Sequence, residues 1–185
     1  MTYIEPLAAL LGLWSVWLII RRNVWGFPIG IVMVVLYAWV FYNARLYSDM
    51  LLQFAFIAFQ VHGWVHWSRS PVDADDRRIR LRRLSAGQWV FTLLAGVAGT
   101  LALGTVMSKY TNAAIPFLDA GTTTVSLLAQ WWMNRRYVEN WLLWIAVDAV
   151  YLYQYGSQQL YYTTALYGIF LGMAFWGWQT WRKRY

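Results

Sequence analysis

The chain has 185 residues, of which 60% are hydrophobic, 19% aromatic and only 12% charged, with a net charge of +7. A soluble domain carries about a quarter of its residues as charges, so this composition excludes an ordinary water-wetted surface and points to an integral membrane protein. Cysteine is absent, which excludes a disulfide framework, a thiolate nucleophile and a thiol metal site.

Apolar windows between charge clusters predict seven helical spans, at about 6–20, 24–43, 48–67, 88–107, 115–133, 139–155 and 160–181. The first opens on MTYIEPLAALLGLW, which has no basic n-region and is read as leading into a retained span rather than a cleaved signal. The third carries a polar stripe at helical spacing, Gln53, Phe56, Gln60, Gly63 and Trp67. Gln53 and Gln60 are donors and acceptors at membrane depth, suited to an amide or to sugar hydroxyls, or equally to hydrogen bonds between helices. His62 and His66 stand at i and i+4, a spacing that can hold a metal. No Glu, Asp or Cys completes a set nearby, so interfacial packing is the reading. The arginine-rich RRIRLRR at 77–83 follows in a loop, where Asp73, Asp75 and Asp76 read as a solvated face. The fourth span is the longest uncharged run, 24 residues from Ser85 to Ser108, against the roughly 20 needed to cross the hydrocarbon core. Asp49 and Asp119 fall near the outer ends of their spans, partly solvated, with Asp119 a candidate for an outer vestibule.

The sixth span, NWLLWIAVD at 140–148, holds an acid where lipid is expected. Asp148 lies nine residues after Glu139, about 13 Å into the membrane at 1.5 Å per residue, close to its centre. A carboxylate there is costly and has to face the interior with a partner or water. It reads as a neutral structural acid, a proton-relay acid or a polar group for a solute. The third reading requires aromatic neighbours, and Trp141, Trp144, Asp148, Tyr151 and Tyr155 do form one helical stripe at spacings 3, 4, 3 and 4. Two indoles above a carboxylate suit a flat cationic heterocycle. Aromatic residues also gather at membrane interfaces, which is the plain account of Trp141; Trp144 and Tyr151 lie too deep for it.

Charge placement sets direction through the positive-inside rule. With the N-terminus outside and the C-terminus in the cytoplasm, 13 of the 15 basic residues fall inside, leaving Arg45 and Lys109 outside. Arginines that flank apolar runs in this way are orientation signals rather than a nucleic-acid surface.

A constant shift of 114 residues relates the two ends of the chain. It pairs Leu13 with Leu127, Trp17 with Trp131, Arg21-Arg22 with Arg135-Arg136, Ile31 with Ile145 and Tyr37 with Tyr151. It continues through Leu46-Tyr47 with Leu160-Tyr161, Leu52 with Leu166 and Phe56 with Phe170, and ends with GWVHW at 63–67 on GWQTW at 177–181. Each repeat holds three spans, and the extra fourth span turns the second repeat over, so the two repeats are parallel. The expected architecture is all-α: a first three-helix repeat at 1–69, a loop and linking helix at 70–111 and a second repeat at 112–185. Parallel repeats with a solute site between them near the midplane are a transporter plan. A receptor or assembly subunit arising by duplication is the other reading. The polar residues break the repeat, since Asp148 pairs with Val34, Gln53 with Tyr167 and Gln60 with Ala174.

RRYVENWLLW at 135–144, the repeated Leu-Tyr, the Gln of LLQ at 51–53, PFLD at 116–119 and the Gly-Trp-x-x-Trp helix endings resemble the PnuC-type vitamin transporters. The similarity runs over nearly the whole chain, and the family resemblance implies three, one and three spans, a homotrimer and a bacterial inner membrane. It implies uptake of nicotinamide riboside by facilitated diffusion, with trapping by cytoplasmic phosphorylation; relatives carry thiamine or riboflavin. It places solute-binding roles on Trp141, Trp144 and Gln53. With Asp148, Gln60, Tyr151, Asn140 within the motif and Tyr37 as the repeat partner of Tyr151, these form the candidate set. Some members have asparagine where Asp148 and Gln60 stand here. A thiamine carrier on the same frame and a non-transporting receptor remain the alternatives. No P-loop, metal cluster or nucleophile–base pair appears, so neither enzyme activity nor a cofactor is expected.

Overall fold

The computed structural model describes residues 4–43, 47–72, 78–111, 115–157, 159 and 161–184, without the side chains of Phe41, Tyr47, Ser48, Asp49 and Leu51. Asp49, Arg45, Leu46, Asp73, Asp75, Asp76, Arg77 and Leu160 therefore lie outside what the structure describes, wholly or in their side chains. Seven helices span the described residues: α1 (Ile4–Ile20), α2 (Gly26–Asn43), α3 (Tyr47–Ser68), α4 (Ala86–Tyr110), α5 (Pro116–Asn134), α6 (Asn140–Ser157) and α7 (Tyr161–Arg182). Every end falls within three residues of the expectation, because charge clusters and prolines mark where apolar helices stop and start. Pro6, Pro28 and Pro116 sit in the first turns of α1, α2 and α5, where a missing N–H costs nothing. α4 opens on a capping box: the Gln88 amide N–H donates to Ser85 Oγ at 3.3 Å and the Ser85 N–H to Gln88 Oε1 at 2.9 Å.

By length and composition α4 is the one described helix able to cross a membrane alone, while α1 and Gly26–Val40 are shorter apolar helices. The others are diluted by the polar residues that mark them, such as Gln53 and Gln60 in α3 or Thr122, Ser126 and Gln130 in α5. α4 exposes Phe91, Leu93, Leu94, Val97 and Leu101, an apolar surface suited to lipid rather than to water.

The chain gathers into two compact units, Met1–Leu81 with Asn134–Arg136, and Arg82–Met133 with Tyr137–Lys183. In the first, α2 packs against α1 and α3. In the second, α6 packs on α7, and α4 meets α5 where Phe117 seats on Gly104 and the Trp132 indole N–H donates to Thr92 Oγ1 at 3.0 Å.

The 114-residue shift is legible in the internal geometry of both units. In the first, Phe27 meets Trp67 edge-on at 4.9 Å and 81°, over Gly63. In the second, Trp141 meets Trp181 edge-on at 5.3 Å and 83°, over Gly177. Phe27 and Trp141 are 114 apart, as are Gly63 and Gly177, and Trp67 and Trp181. The turns match as well. Arg22 and Arg136 both adopt left-handed backbone, at φ 57° and 69°. In each case the next residue closes the helix with a six-to-one hydrogen bond, Asn23 N–H to Leu18 O at 2.9 Å and Tyr137 N–H to Trp132 O at 3.0 Å.

A methyl group at Gly177 would lie 2.6 Å from the Trp141 indole, and one at Gly63 would overlap Phe27. Each Gly→Ala change is expected to cost about 1–3 kcal/mol through overpacking. Gly172→Ala, where nothing lies within 4 Å, should leave stability level or slightly raised. Thermal unfolding of the three detergent-solubilised variants checks this, and equal midpoints would refute it.

Candidate functional site

α6 carries the sequence stripe on a continuous helix, but its members have different surroundings. Trp141 is 1% exposed, with Trp181 against its edge and the Gly177 backbone against its ring. Protein thus packs against the ring that the sequence offers for solute stacking, and the ring is the counterpart of Phe27. Asn140 is likewise fully buried at the helix start, its Nδ2 donating to Tyr137 O at 2.6 Å. Its Oδ1 is buried with no hydrogen-bond partner among the described residues.

Trp144 and Asp148 are placed otherwise. Trp144 is half-buried, and its Nε1, like that of Trp141, is a buried donor with no partner among the described residues. Asp148 is 6% exposed, and among the described residues no hydrogen bond or ion pair reaches its carboxylate. Buried polar groups in proteins are almost always partnered, and acids at membrane depth mark solute or ion pathways. A donor and an acid four residues apart, one helical turn, are thus both available to a ligand.

One turn further on, Tyr151 stacks with Tyr155 at 5.6 Å, and both contact Tyr167 of α7, at 4.8 and 5.2 Å. Phe170 adds a ring 6.1 Å from Tyr167. Beside this cluster the Gln154 amide donates to Asp119 Oδ1 at 3.2 Å, which joins α6 to the first turn of α5. Asp119, expected as a partly solvated acid, is half-buried and held by this bond.

In the first unit Tyr37, Gln53 and Gln60 are half-buried on α2 and α3. A methyl at Gly30 would lie 2.7 Å from Gln60 Nε2 and 3.1 Å from Ser15 Oγ, so the glycine makes room for the amide against α1 and α2. Ser15 Oγ donates to Gly26 O at 2.7 Å. His62 and His66 stack at 5.9 Å and 14°, and among the described residues no group of three metal-ligating side chains forms.

Residue patterns gave no warning of Asn134. It is fully buried, donates through Nδ2 to Phe59 O at 2.7 Å, and receives the Trp67 indole N–H on its backbone carbonyl at 3.1 Å. Its partner at the 114-residue shift is Ile20. A polar residue replacing an apolar one across the repeat also marks Asp148, and that signal would have found Asn134. The Tyr155–Tyr167 contact needed the structure, since it joins two helices.

Over residues 2–183 the chain matches the family described as nicotinamide mononucleotide transporter. It is similar to the nicotinamide riboside transporter PnuC of Escherichia coli K12, 28% identical over 98% of this chain and 85% of the relative. It is also similar to the riboflavin/roseoflavin transporter RibM of Streptomyces davaonensis, 24% identical over 95% of this chain and 82% of the relative. The crystal structure of the vitamin B3 transporter PnuC resembles it with a TM-score of 0.82 at 25% identity, over 98% of this chain and 81% of that one.

The two tryptophans of the motif should separate on substitution. Trp141→Ala empties a closed packing site and is expected to cost about 3–5 kcal/mol of stability. Trp144→Ala should stay close to wild type in unfolding temperature. Equal destabilisation of the two variants would remove the distinction.

Proposed function

The chain belongs to the nicotinamide mononucleotide transporter family, and from this premise we propose that it carries nicotinamide riboside across the bacterial inner membrane. It is a multi-pass membrane transporter and not an enzyme. The observation that carries the choice of solute is Asp148, a buried carboxylate with no hydrogen-bond or ion-pair partner among the described residues, one turn from the likewise unpartnered indole N–H of Trp144. Nicotinamide riboside has a cationic aromatic ring and a carboxamide. The acid supplies the opposite charge in a low-dielectric setting, and the indole a face and a donor. Tyr151 extends the same stripe along α6. Several relatives are named as nicotinamide riboside transporters, which supports the reading. Riboflavin, carried by one relative's name, is neutral and makes no use of an acid.

In this reading the solute moves down its gradient and cytoplasmic phosphorylation traps it. The frame is two three-helix repeats, 1–69 and 112–185, joined through 70–111, with the N-terminus outside and the C-terminus in the cytoplasm. The functional form is a homotrimer, as the family resemblance implies.

Counterflow into proteoliposomes tests the solute. Labelled nicotinamide riboside should enter saturably, and excess thiamine or riboflavin should compete weakly. Asp148→Asn should raise the half-saturating concentration of the cationic riboside by on the order of tenfold, the loss of one charge-assisted contact. The neutral dihydro form should change little. Equal losses for both forms would make Asp148 a structural acid.

The absence of cysteine makes orientation directly measurable. Ser157→Cys in intact cells should react with a membrane-impermeant maleimide, and Arg184→Cys only after permeabilisation. The reverse pattern would invert the topology.

A further inference from the structure

At the C-terminal end of α3 the structure holds a cavity of about 240 Å3 whose lining includes His62, His66, Arg69, Ser70 and Arg136. Among the described residues no acidic side chain lines it. His62, His66 and Arg69 follow at i, i+4 and i+7 and so share a face, while Arg136 arrives from the left-handed turn after α5.

Three of the four groups are held by contacts within the protein. Asn134 Nδ2 donates to Phe59 O at 2.7 Å, which fixes the orientation of the amide, and lies 3.3 Å from His62 Nδ1. An amide nitrogen can only donate, so in this contact His62 Nδ1 is the acceptor. His66 stacks on that ring. Arg136 is tethered through Nη1 to Arg80 O at 3.4 Å. Among the described residues no hydrogen bond engages Arg69, which is exposed.

Cations at helix C-termini complement the helix dipole and follow the positive-inside rule. Those effects account for the charge. They do not require that two guanidinium groups and two imidazoles converge on one concavity. Its volume lies below the roughly 300–1,000 Å3 of sites that enclose a drug-sized ligand, which fits one anionic group rather than a whole nucleotide. Guanidinium groups favour phosphate oxygens.

We propose that this cavity binds a phosphate oxyanion at the inner face of the protein. Two sources share that chemistry. One is the phosphate monoester of the carried nucleoside, the product of the phosphorylation that traps it, which would make the cavity a product sensor; this source rests on the function proposed above. The other is the phosphodiester headgroup of an anionic lipid in the inner leaflet.

The test uses the full chain in nanodiscs of phosphatidylcholine, titrated calorimetrically with inorganic phosphate and with nicotinamide mononucleotide. Parallel nanodiscs containing phosphatidylglycerol are scored for retained lipid by native mass spectrometry. Arg69→Gln, at an exposed position, should fold normally and weaken the bound phosphate species roughly tenfold. Arg136→Gln should do the same if it folds. Arg69-dependent binding of mononucleotide or phosphate in the neutral discs supports the soluble source. Arg69-dependent retention of phosphatidylglycerol alone supports the lipid source. Absence of both, or binding indifferent to Arg69→Gln, overturns the site. Riboside counterflow of the same preparations separates the two readings: transport without phosphate binding sinks this inference alone, and phosphate binding without riboside transport sinks the proposed function and leaves the site.

Discussion

An aromatic ring seated on a glycine holds each half of this chain together. In lipid the hydrophobic effect no longer drives helices against one another, so close packing of small residues has to supply the contact. Gly63 and Gly177 let a neighbouring ring approach the backbone, and Trp67 and Trp181 then close over that ring edge-on. Gly104 under Phe117 repeats the device between α4 and α5. The requirement is steric and allows no side chain at the glycine. It explains why Gly-Trp-x-x-Trp survives in both repeats, and why Trp141 is packed as closely as Phe27.

The turns after α1 and α5 show a second economy. Arg22 and Arg136 take left-handed backbone, usually left to glycine, and each carries a side chain that a glycine would lack. Through Nη1 they donate to the carbonyls of Ile79 and Arg80, at 3.2 and 3.4 Å. In the second unit Glu139 accepts from the Leu84 N–H at 3.0 Å and from Arg83 Nε at 3.3 Å. The arginine-rich segment that reads as a simple orientation signal is thus also tied down by hydrogen bonds through its backbone.

The frame is duplicated and the polar chemistry is not. Where the frame repeats, the structure repeats it to within a few tenths of an ångström in ring separation. Where Asp148 replaces Val34, or Gln60 stands opposite Ala174, a buried or half-buried polar group appears on one side only. A carrier of an asymmetric solute needs that asymmetry, and the substitution of polar for apolar across a repeat is where it becomes visible.

The sequence by itself determined the seven helices and their ends, because charge, proline and apolar run length act locally and leave a pattern that can be counted. It determined the repeat, because identical residues at one shift need no coordinates, and it singled out Asp148, because an acid inside an apolar run is conspicuous alone. It missed the pairing of Phe27 with Trp141, whose identities differ although both are large rings in the same place. It could not divide Trp141 from Trp144, three residues apart on one helix. Only the tertiary structure decided that one ring is enclosed by Gly177 and Trp181 while the other is half-buried. Likewise only packing placed Asn134 beneath His62 and brought Arg69 and Arg136 to one cavity. Those outcomes depend on which helices meet, and a local pattern does not contain its neighbours.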